Sequence, residues 1–399
     1  MNWKRTLGIL WVSNFFVTAG MSLVIPFLPL YIDKLGVHQL QSIERWAGWV
    51  FSAQYVTSVI FQPIWGRVAD KHGRKINLLR AGMGMGIVTA LMGAVSSVKQ
   101  LFLLRLLNGV FSGFISMSVS LQASITPNED AGRALGMLQT GAVAGNLIGP
   151  LIGGVLAEVF GFRTVFFLTG SLLILASVIV MIFVQEQHEP KEIVESNIRD
   201  NLIKLKPLFP VFLASTVTQI GMMSIEPIVS IYAKTLYTGA HLATIAGLVV
   251  AISGVANLIG APTLGRLGDR IGQRKVLILS FCAAVCMYIP QALAKNITVL
   301  LVGRFLLGLF IGGMIPSLNV LVKLKAPEEL QATAFGFNSS STFLGNLIGP
   351  LIGSSVAAAY GIRDVFYITM IVLLANAIMI FFNKNLDFKP CINGHKRTS

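Results

Sequence analysis

A single acidic residue lies inside a long apolar segment, where a carboxyl group could bind and release a proton. Glu226 stands in the run TQIGMMSIEPIVSIY, directly before Pro227, which loosens the local backbone. A charge at the centre of a membrane helix costs at least about 2.5–3.5 kcal/mol, so its presence needs a reason. A cationic compound and a proton would compete for this carboxylate. A structural ion pair, or an acid wetted at the membrane surface, is the alternative.

Arg105 is a second charge in an apolar run, LLRLLNGVFSG. Its guanidinium does not readily lose a proton, so its donors must meet carbonyl, amide or carboxylate oxygens in the interior. The alternative is that the side chain reaches the water at one end of its helix. Arg304 takes the corresponding place in the related run VGRFLLGLFIGG.

The nine residues GNLIGPLIG occur twice, at 145–153 and at 345–353. The first copy and the residues before it place glycine at every fourth position: Gly141, Gly145, Gly149 and Gly153. These glycines form a flat stripe on one helix face, which lets a neighbouring helix approach closely, and Pro150 is expected to kink that helix. Helix packing alone and a specific role in conformational change both remain open. In the second copy Ser341 replaces the first glycine.

A polar motif also occurs twice, as GRVADKHGRK and as GRLGDRIGQRK. The first copy contains Gly66, Asp70, Gly73, Arg74 and Lys75, and the acid of the second copy is Asp269. An acid at the end of a span, followed by basic residues, could accept hydrogen bonds from them or cap the N-terminus of an approaching helix. Anchoring by positive charge alone would explain the basic residues but not the paired acid and glycines.

These residues must be positioned by membrane-spanning helices. The chain of 399 residues is 54% hydrophobic and only 12% charged, and its mean hydropathy is +0.74. Apolar runs of about 20 residues, the length that crosses a bilayer, recur along it with short polar breaks. Twelve spans are predicted: 7–32, 46–65, 76–97, 101–122, 134–158, 163–184, 208–232, 242–264, 276–294, 298–322, 332–358 and 363–383. They leave no room for a soluble catalytic domain.

The basic residues predict the orientation. Most of the 31 Lys and Arg residues fall in segments that share one side of the membrane with the N-terminus, and such residues are retained on the cytoplasmic side. Both termini are therefore predicted to be cytoplasmic, and the first span is predicted to remain uncleaved. The net charge of +14 is explained by this topology, so no nucleic-acid partner is predicted.

The duplicated motifs indicate one six-span unit used twice. Other pairs agree with this, such as FGFRTVF with YGIRDVF and IPFLPLY with EPIVSIY. The prediction is an all-α membrane protein with two parallel six-helix halves related by a pseudo-two-fold axis along the membrane normal. The predicted division is 1–184 for the first half, 185–207 for a cytoplasmic linker, 208–385 for the second half and 386–399 for a cytoplasmic tail. Such halves can rock around a central cavity, as in a transporter.

On these motifs the chain resembles the major facilitator superfamily, specifically its twelve-span drug:proton antiporter branch and the bacterial exporters of fluoroquinolones. The 66–75 loop resembles the signature between the second and third spans, and the 141–153 stripe resembles the fifth-span signature typical of exporters. The resemblance implies a latch at the inner loop, a leak-tight seam at the stripe, and a part for Arg105 in proton coupling. The role of Glu226 in that coupling is predicted from its position in the span. The resemblance also implies a bacterial inner-membrane location and a monomer in membrane lipid.

The resemblance implies lipophilic, often cationic substrates. The 25 Phe and 14 Met residues suit varied ligands, although most of them must face lipid or neighbouring helices. Residues proposed to line the cavity are Asn14, Phe15, Phe16, Gln54, Met117, Gln139, Met222, Met223 and Asn338. The cysteines and histidines lack metal-ligand spacing, so no metal site is predicted.

The predicted function is export of these compounds, fluoroquinolones included, in exchange for protons by alternating access. No nucleotide-binding loop of the GxxxxGK[ST] kind occurs, so the proton gradient replaces a cofactor as the energy source. A proton-coupled nutrient symporter and a lipid or glycolipid flippase are the alternatives on the same fold. An enzyme is not expected, because the spans contain no cluster of His, Asp or Ser residues.

Overall fold

The computed structural model describes residues 3–186, 204–327 and 330–383, and in these ranges the chain is helical and contains no β-strand. The α-helices are α1 Trp3–Leu23, α2 Leu28–Lys34, α3 Leu40–His72, α4 Arg74–Met92, α5 Val98–Phe111, α6 Phe114–Ile125, α7 Asn128–Phe160, α8 Phe162–Phe183, α9 Phe209–Met223, α10 Glu226–Leu236, α11 Leu242–Ile271, α12 Gln273–Ala292, α13 Ile297–Lys325, α14 Gln331–Tyr360 and α15 Ile362–Phe382. Short 3-10 turns at Ile25–Phe27 and Lys206–Leu208 precede α2 and α9.

These helices form the twelve predicted spans. Ten spans in the described ranges are long and apolar enough to cross a bilayer, and the more polar α3 and α4 are the second and third spans. Three spans consist of two consecutive helices each, namely α1 with α2, α5 with α6, and α9 with α10. The all-helical membrane fold predicted from hydropathy is confirmed.

The first and seventh spans are interrupted at equivalent places. The first breaks between Leu23 and Leu28, around Pro26, and the seventh breaks after Met223, just before Pro227. Proline lacks an N–H group and is tolerated in the first turn of a helix. Pro26 stands in the first turn of the 3-10 helix that precedes α2, and Pro227 stands in the first turn of α10. The related runs IPFLPLY and EPIVSIY are therefore the sequence record of two matching breaks.

The fourth span breaks in the first half only. It is interrupted at Gly113, whose φ of +117° favours glycine, whereas the matching α13 is continuous. A break in hydrocarbon frees carbonyl groups that need other donors. Arg80 supplies them, because its guanidinium donates to the carbonyl oxygens of Val110 and Ser112 at 3.3 Å each while lying over the Trp65 ring.

The chain divides into two compact units, one of 1–194 with 226–251 and the other of 195–225 with 252–399. In the first unit α1 packs against α7 and α8, and α4 packs against α8. In the second unit α9 packs against α14, and α12 packs against α13 and α15. The predicted domain boundaries stay predictions, since residues 187–203 of the linker and the whole 386–399 tail lie outside the described residues.

An aromatic cluster closes the core of the first unit near the predicted outer end. The Phe27 ring lies 5.3 Å from Phe162 and 5.8 Å from Phe166, and the Tyr31 ring lies 5.0 Å from Phe166. The Tyr31 hydroxyl donates to the carbonyl oxygen of Met92 at 3.1 Å, so its polar atom is satisfied while the ring is buried. This cluster fixes α2 against the start of α8.

Glu44, near the start of α3 and before the predicted second span, is a buried acid with only 2% of its surface exposed. Burial raises its pKa to about 7, from an ordinary value of 4.5. The folded protein therefore favours the protonated form, and the cost of ionising this group grows as the pH rises from about 4.5 to about 7. Above that range the cost is constant.

We expect Glu44→Gln to raise the midpoint of thermal unfolding in detergent at pH 8 and to change it little at pH 4.5. The glutamine keeps the shape of the side chain and removes the charge that the site disfavours. Glu195→Gln, in the predicted linker, is the matched control and should have no such pH-dependent effect. An equal change at both pH values would contradict the account.

Candidate functional site

The glycine stripe of α7 lies against α1 in the first unit. A Cβ atom added at Gly141 would lie 2.7 Å from the carbonyl oxygen of Trp11, and one at Gly149 would lie 2.7 Å from that of Ala19. Both distances are too short for real atoms, so the two backbones touch along the stripe. The Ser22 hydroxyl donates to the carbonyl oxygen of Gly145 at 3.1 Å and joins the helices across this contact.

The second copy repeats this arrangement in the second unit. Added Cβ atoms at Gly345 and Gly349 would lie 2.7 Å from the carbonyl oxygen of Thr216 and 2.9 Å from that of Ile220. The hydroxyl of Thr216 donates at 3.0 Å to the carbonyl oxygen of Ser341, the residue that replaces the first glycine. The duplicated sequence therefore forms the same close helix pair twice, α1 with α7 and α9 with α14.

Arg105 points into the interior of the first unit. Its Nη1 donates to Oε1 of the buried Gln54 at 3.0 Å, which joins α5 to α3. The two helices are held close here, because Thr57 Oγ1 donates to the carbonyl oxygen of Leu106 at 2.6 Å. A small cavity beside Arg105 is lined by polar groups of Gln54, Thr89, Asn108 and Thr169. The guanidinium thus lies in a polar pocket rather than at the end of its helix.

Glu226 is the first residue of α10, immediately after the break in the seventh span. A negative charge is favoured at this end of a helix, where backbone N–H groups are free. Tyr55, on α3, interacts electrostatically with both Glu226 and Arg105. The two intramembrane charges of the first unit thus both act on the same phenol.

Tyr55 was not identified from the sequence as a candidate site residue. It directly follows Gln54, and a tyrosine in the middle of a span carries a hydroxyl that needs a partner, which is the available signal. A single tyrosine is common in membrane helices, so this signal becomes specific only when the two charges are seen beside it.

The inner-loop motif is built around a glycine that joins two spans. Gly73 has a φ of +99° between α3 and α4, and Gly272 has the same value between α11 and α12. This conformation is unfavourable for other residues, which explains the repeated glycine. Gly66 has open space around the position of a Cβ atom. The Asp70 side chain lies outside the described part of the structure, so the predicted latch stays a prediction.

Glu186 caps the helix that follows the motif. Its carboxylate accepts from the backbone N–H of Arg74 at 3.0 Å and of Lys75 at 2.7 Å, at the start of α4. Arg74 Nε donates to Ser120 Oγ at 2.7 Å, and Lys75 Nζ donates to the carbonyl oxygen of Met181 at 3.0 Å. Glu186 was missed from the sequence, although an acid just beyond the sixth span is a natural cap for a nearby helix start.

The second copy of the inner-loop motif makes different hydrogen bonds. Asp269 accepts from Nε2 of Gln273 at 3.2 Å, within the same loop. Arg274, the counterpart of Lys75 by order in the motif, donates through Nε to the carbonyl oxygen of Ile380 at 3.0 Å and also bonds that of Phe381. Lys75 and its counterpart Arg274 thus both bind carbonyl oxygens near the end of the last span of their own half, whereas the Arg74 side chain bonds to the fourth span.

The proposed cavity residues fall in different surroundings. Asn14 is buried, Phe15 stacks on Trp11 at 6.0 Å, and Gln139 is exposed. Phe16 and Met117 pack against the core of the first unit. Met222, Met223 and Asn338 belong to the second unit, where Asn338 accepts from Ser215 Oγ at 2.6 Å. Their role in substrate binding stays a prediction.

Comparison with known proteins identifies the family. The profile described as Major Facilitator Superfamily matches residues 10–239 and 211–390. The chain belongs to the Major Facilitator Superfamily. It is 42% identical over 385 residues to the "Multidrug resistance protein MdtG" of Enterobacter lignolyticus (strain SCF1), covering 95% of this chain and 92% of that protein. The protein of the same name from Klebsiella pneumoniae (strain 342) is 40% identical over 383 residues, with 95% and 93% covered.

Solved structures agree at the level of the fold. The nucleoside transporter NupG superposes with a TM-score of 0.78 at 15% identity, covering 98% of this chain and 100% of that chain. A D-xylose-proton symporter superposes with a TM-score of 0.79 at 13% identity, with 95% and 97% covered. The chain is thus a transporter rather than an enzyme, and a multi-pass protein of the bacterial inner membrane.

The close backbone contact between α1 and α7 can be tested directly by substitution. A Cβ atom at Gly145 would lie 2.6 Å from the carbonyl oxygen of Phe15 and 2.7 Å from the backbone nitrogen of Ala19. Since backbone atoms cannot rotate away, we expect Gly145→Ala to destabilise the protein by about 1–3 kcal/mol, measured by thermal unfolding in detergent.

Gly136→Ala is the matched control in the same helix, because its Cβ position has open space. It should be neutral or slightly stabilising, since alanine favours helix over glycine by about 1 kcal/mol. Equal effects of the two substitutions would contradict a close seam at Gly145.

Proposed function

We propose that the chain is a proton-coupled multidrug efflux transporter, which exports lipophilic, often cationic compounds, fluoroquinolones included, by alternating access. The observation that carries this proposal is the similarity, at about 40% identity over nearly the whole chain, to proteins named for multidrug resistance. The glycine stripes support it, because two backbones in contact leave no path for leak along the seam.

The coupling site in this proposal consists of Glu226, Tyr55 and Arg105. Glu226 lies at a break in its span, at the start of a helix where free backbone N–H groups favour a negative charge. A proton and a cationic substrate would bind this carboxylate in turn, because each neutralises a charge that is costly in hydrocarbon. Binding of one therefore favours release of the other, which is the requirement for exchange.

Arg105 keeps its charge and sets the electrostatic environment of that exchange. A permanent positive charge near Tyr55 favours the ionised form of a nearby acid, which leaves that acid able to bind either a proton or a cationic substrate. Tyr55 would join the two charges, since a phenol both donates and accepts a hydrogen bond. In this scheme Gln54 holds the guanidinium in place through its 3.0 Å bond.

The proton gradient would supply the energy, and no cofactor is required. The partners are the exported compounds, protons and membrane lipid, and the working unit is a monomer with both termini in the cytoplasm. Closure at the 66–75 loop and at the seams would alternate access to the substrate site.

The decisive experiment is uptake of a cationic dye, and of a fluoroquinolone, into inside-out vesicles under an imposed proton gradient. We expect gradient-dependent uptake by the unmodified protein. For the dye, Glu226→Gln should reduce it to the level of vesicles without the protein, because the exchangeable charge is gone. Glu195→Gln, in the predicted linker, is the matched control at equal expression.

If Glu226→Gln transports the dye as well as the unmodified protein does, Glu226 is structural and the proposed coupling site is wrong. If no compound is taken up under any gradient, the proposal of multidrug export is wrong.

Tyr55→Phe tests the link between the two charges. Removing one hydroxyl leaves the ring in place, and we expect gradient-dependent uptake to fall about threefold to tenfold, the size of the one hydrogen bond that the hydroxyl would form during the proposed exchange. Its dependence on pH should also become flatter, which a purely structural role would not produce. Tyr360→Phe is the control, because that ring is 78% exposed at the end of α14. Unchanged uptake and pH dependence in Tyr55→Phe would contradict the link.

A further inference from the structure

At the predicted outer end of the first unit, two acids of the first six spans hold residues 226–251. The first is Asp33, just after the first span. Its Oδ2 accepts from Lys234 Nζ of α10 at 2.9 Å, and its Oδ1 lies 3.0 Å from Nδ1 of His38. We call these three residues the Asp33 clasp. It joins the ends of α2 and α10, which also pack against each other.

The second acid is Glu158, at the end of α7. Its Oε1 accepts from the backbone N–H of Thr244 at 2.9 Å, and its Oε2 accepts from Thr244 Oγ1 at 2.6 Å and lies 3.2 Å from Nδ1 of His241. The carboxylate thereby caps the first turn of α11, a favourable place for a negative charge. We call Glu158, His241 and Thr244 the Glu158 clasp.

The helices beneath the Glu158 clasp are in close contact. A Cβ atom at Gly154 of α7 would lie 3.0 Å from the carbonyl carbon of Ala243, and one at Gly247 of α11 would collide with the carbonyl oxygen of Pro150. Such a contact has no room for small adjustments, so α11 either lies against α7 with the clasp formed or moves away from it with the clasp broken.

The two histidines are open to the outside solution. The side chain of His38 is 78% exposed and that of His241 is 75% exposed, whereas the acids that they meet are 28% and 19% exposed. Imidazole changes its charge between about pH 5 and pH 8. A protonated imidazole donates a charge-assisted hydrogen bond to a carboxylate, which is stronger than the bond from a neutral ring.

Other charged groups at this end are Lys34, Glu44, Arg45 and Arg163. Arg163 donates to the carbonyl oxygen of Val95 at 3.2 Å and interacts with Tyr31. Among the described residues, the groups that act on Asp33 are Lys234 and His38, and those that act on Glu158 are Thr244 and His241. The histidines are thus the groups in the clasps whose side-chain type can gain a proton near neutral pH.

We propose that the Asp33 and Glu158 clasps form a proton-sensitive closure of the outer end, in which external acid protonates His38 and His241 and holds 226–251 against the first six spans. The sign follows from the chemistry of the pair: an imidazole that gains a proton becomes a stronger donor to the carboxylate it meets, so closure strengthens as the pH falls. At still lower pH, protonation of the acids would reverse the effect.

The closure itself requires no transported compound. Its use in a transport cycle rests on the proposed function: the outer end would open to release a compound, and the more acidic outside would then favour its closing. The external proton would thus act on the conformation directly, in addition to its exchange at the coupling site.

The reactivity of a cysteine at a buried position on α10 measures whether the outer end is closed. Ser230 is only 1% exposed, so a cysteine there should react slowly with a membrane-impermeant maleimide while the end is closed. The experiment uses the full-length protein with Cys282, Cys286 and Cys391 replaced by alanine, in right-side-out vesicles without added substrate. Labelling of Ser230→Cys is divided by that of Thr238→Cys, an exposed position, which corrects for the reactivity of thiols at each pH.

We expect this ratio to be about threefold to tenfold lower at pH 5.5 than at pH 8, the size expected of two exposed ion pairs acting together. In the His38→Gln/His241→Gln double variant the ratio should stay at its pH 8 value, because glutamine donates a hydrogen bond but gains no charge. The His188→Gln/His395→Gln double variant, in predicted cytoplasmic segments, should behave as the unmodified protein does. Glu158→Gln should raise the ratio at both pH values.

A ratio that does not change with pH would overturn the proposal, as would a change that persists in the His38→Gln/His241→Gln variant. This outcome is separate from the transport assay. If the ratio shifts as expected but no compound is transported, the closure stands and the proposed function is wrong. If transport is found and the ratio is flat, the clasps are static contacts and the proposed function stands.

Discussion

Helices in hydrocarbon gain nothing from burying apolar side chains against one another, so contact between them depends on close packing and on satisfied polar groups. The glycine stripes meet the first condition by removing the side chains that would separate α1 from α7. The same contact meets the second condition, because Ser22 reaches the carbonyl oxygen of Gly145 only when the two backbones are this close. Most other features of the two units depend on such pairs. Each interruption of a span then needs its own substitute donor, as Arg80 provides at the break before Gly113.

The duplication explains why the same helix contacts and span breaks recur in both halves. The features that do not repeat indicate where the halves differ. The seventh span repeats the break of the first span, although its sequence has diverged to EPIVSIY. The fourth span does not repeat: α13 is continuous, and Gly312 packs against α11, where an added Cβ atom would lie 2.7 Å from the carbonyl oxygen of Asn257. One half therefore has a helix break where the other has a continuous helix in close contact with its neighbour. A transporter whose halves do different work needs such asymmetry.

The spans, the two-fold repetition and the family could be predicted from the sequence, because hydropathy and repeated motifs are local signals that survive without coordinates. The meeting of Arg105 with Gln54, and of both charges with Tyr55, could not, because it joins helices far apart in the chain. Glu44 illustrates the same limit. From the sequence it is an acid near a span end, and only the packing of α3 makes it a buried group with a raised pKa. Glu186 is recognisable as a cap only when the start of α4 lies beside it.

One short stretch joins the proposed chemistry to the proposed closure. Residues 226–251 begin with Glu226 and contain Lys234, His241 and Thr244, and α10 is a rigid segment of 11 residues, about 16 Å long. Because a helix transmits displacement along its axis, a change in how Glu226 is held would move the lysine of the Asp33 clasp, and breaking that clasp would change the position of Glu226 relative to Tyr55. Protonation near either end of α10 would therefore displace the same rigid helix. Binding at either end would then change the affinity at the other by the same factor, as linkage requires of two sites that share a conformational equilibrium.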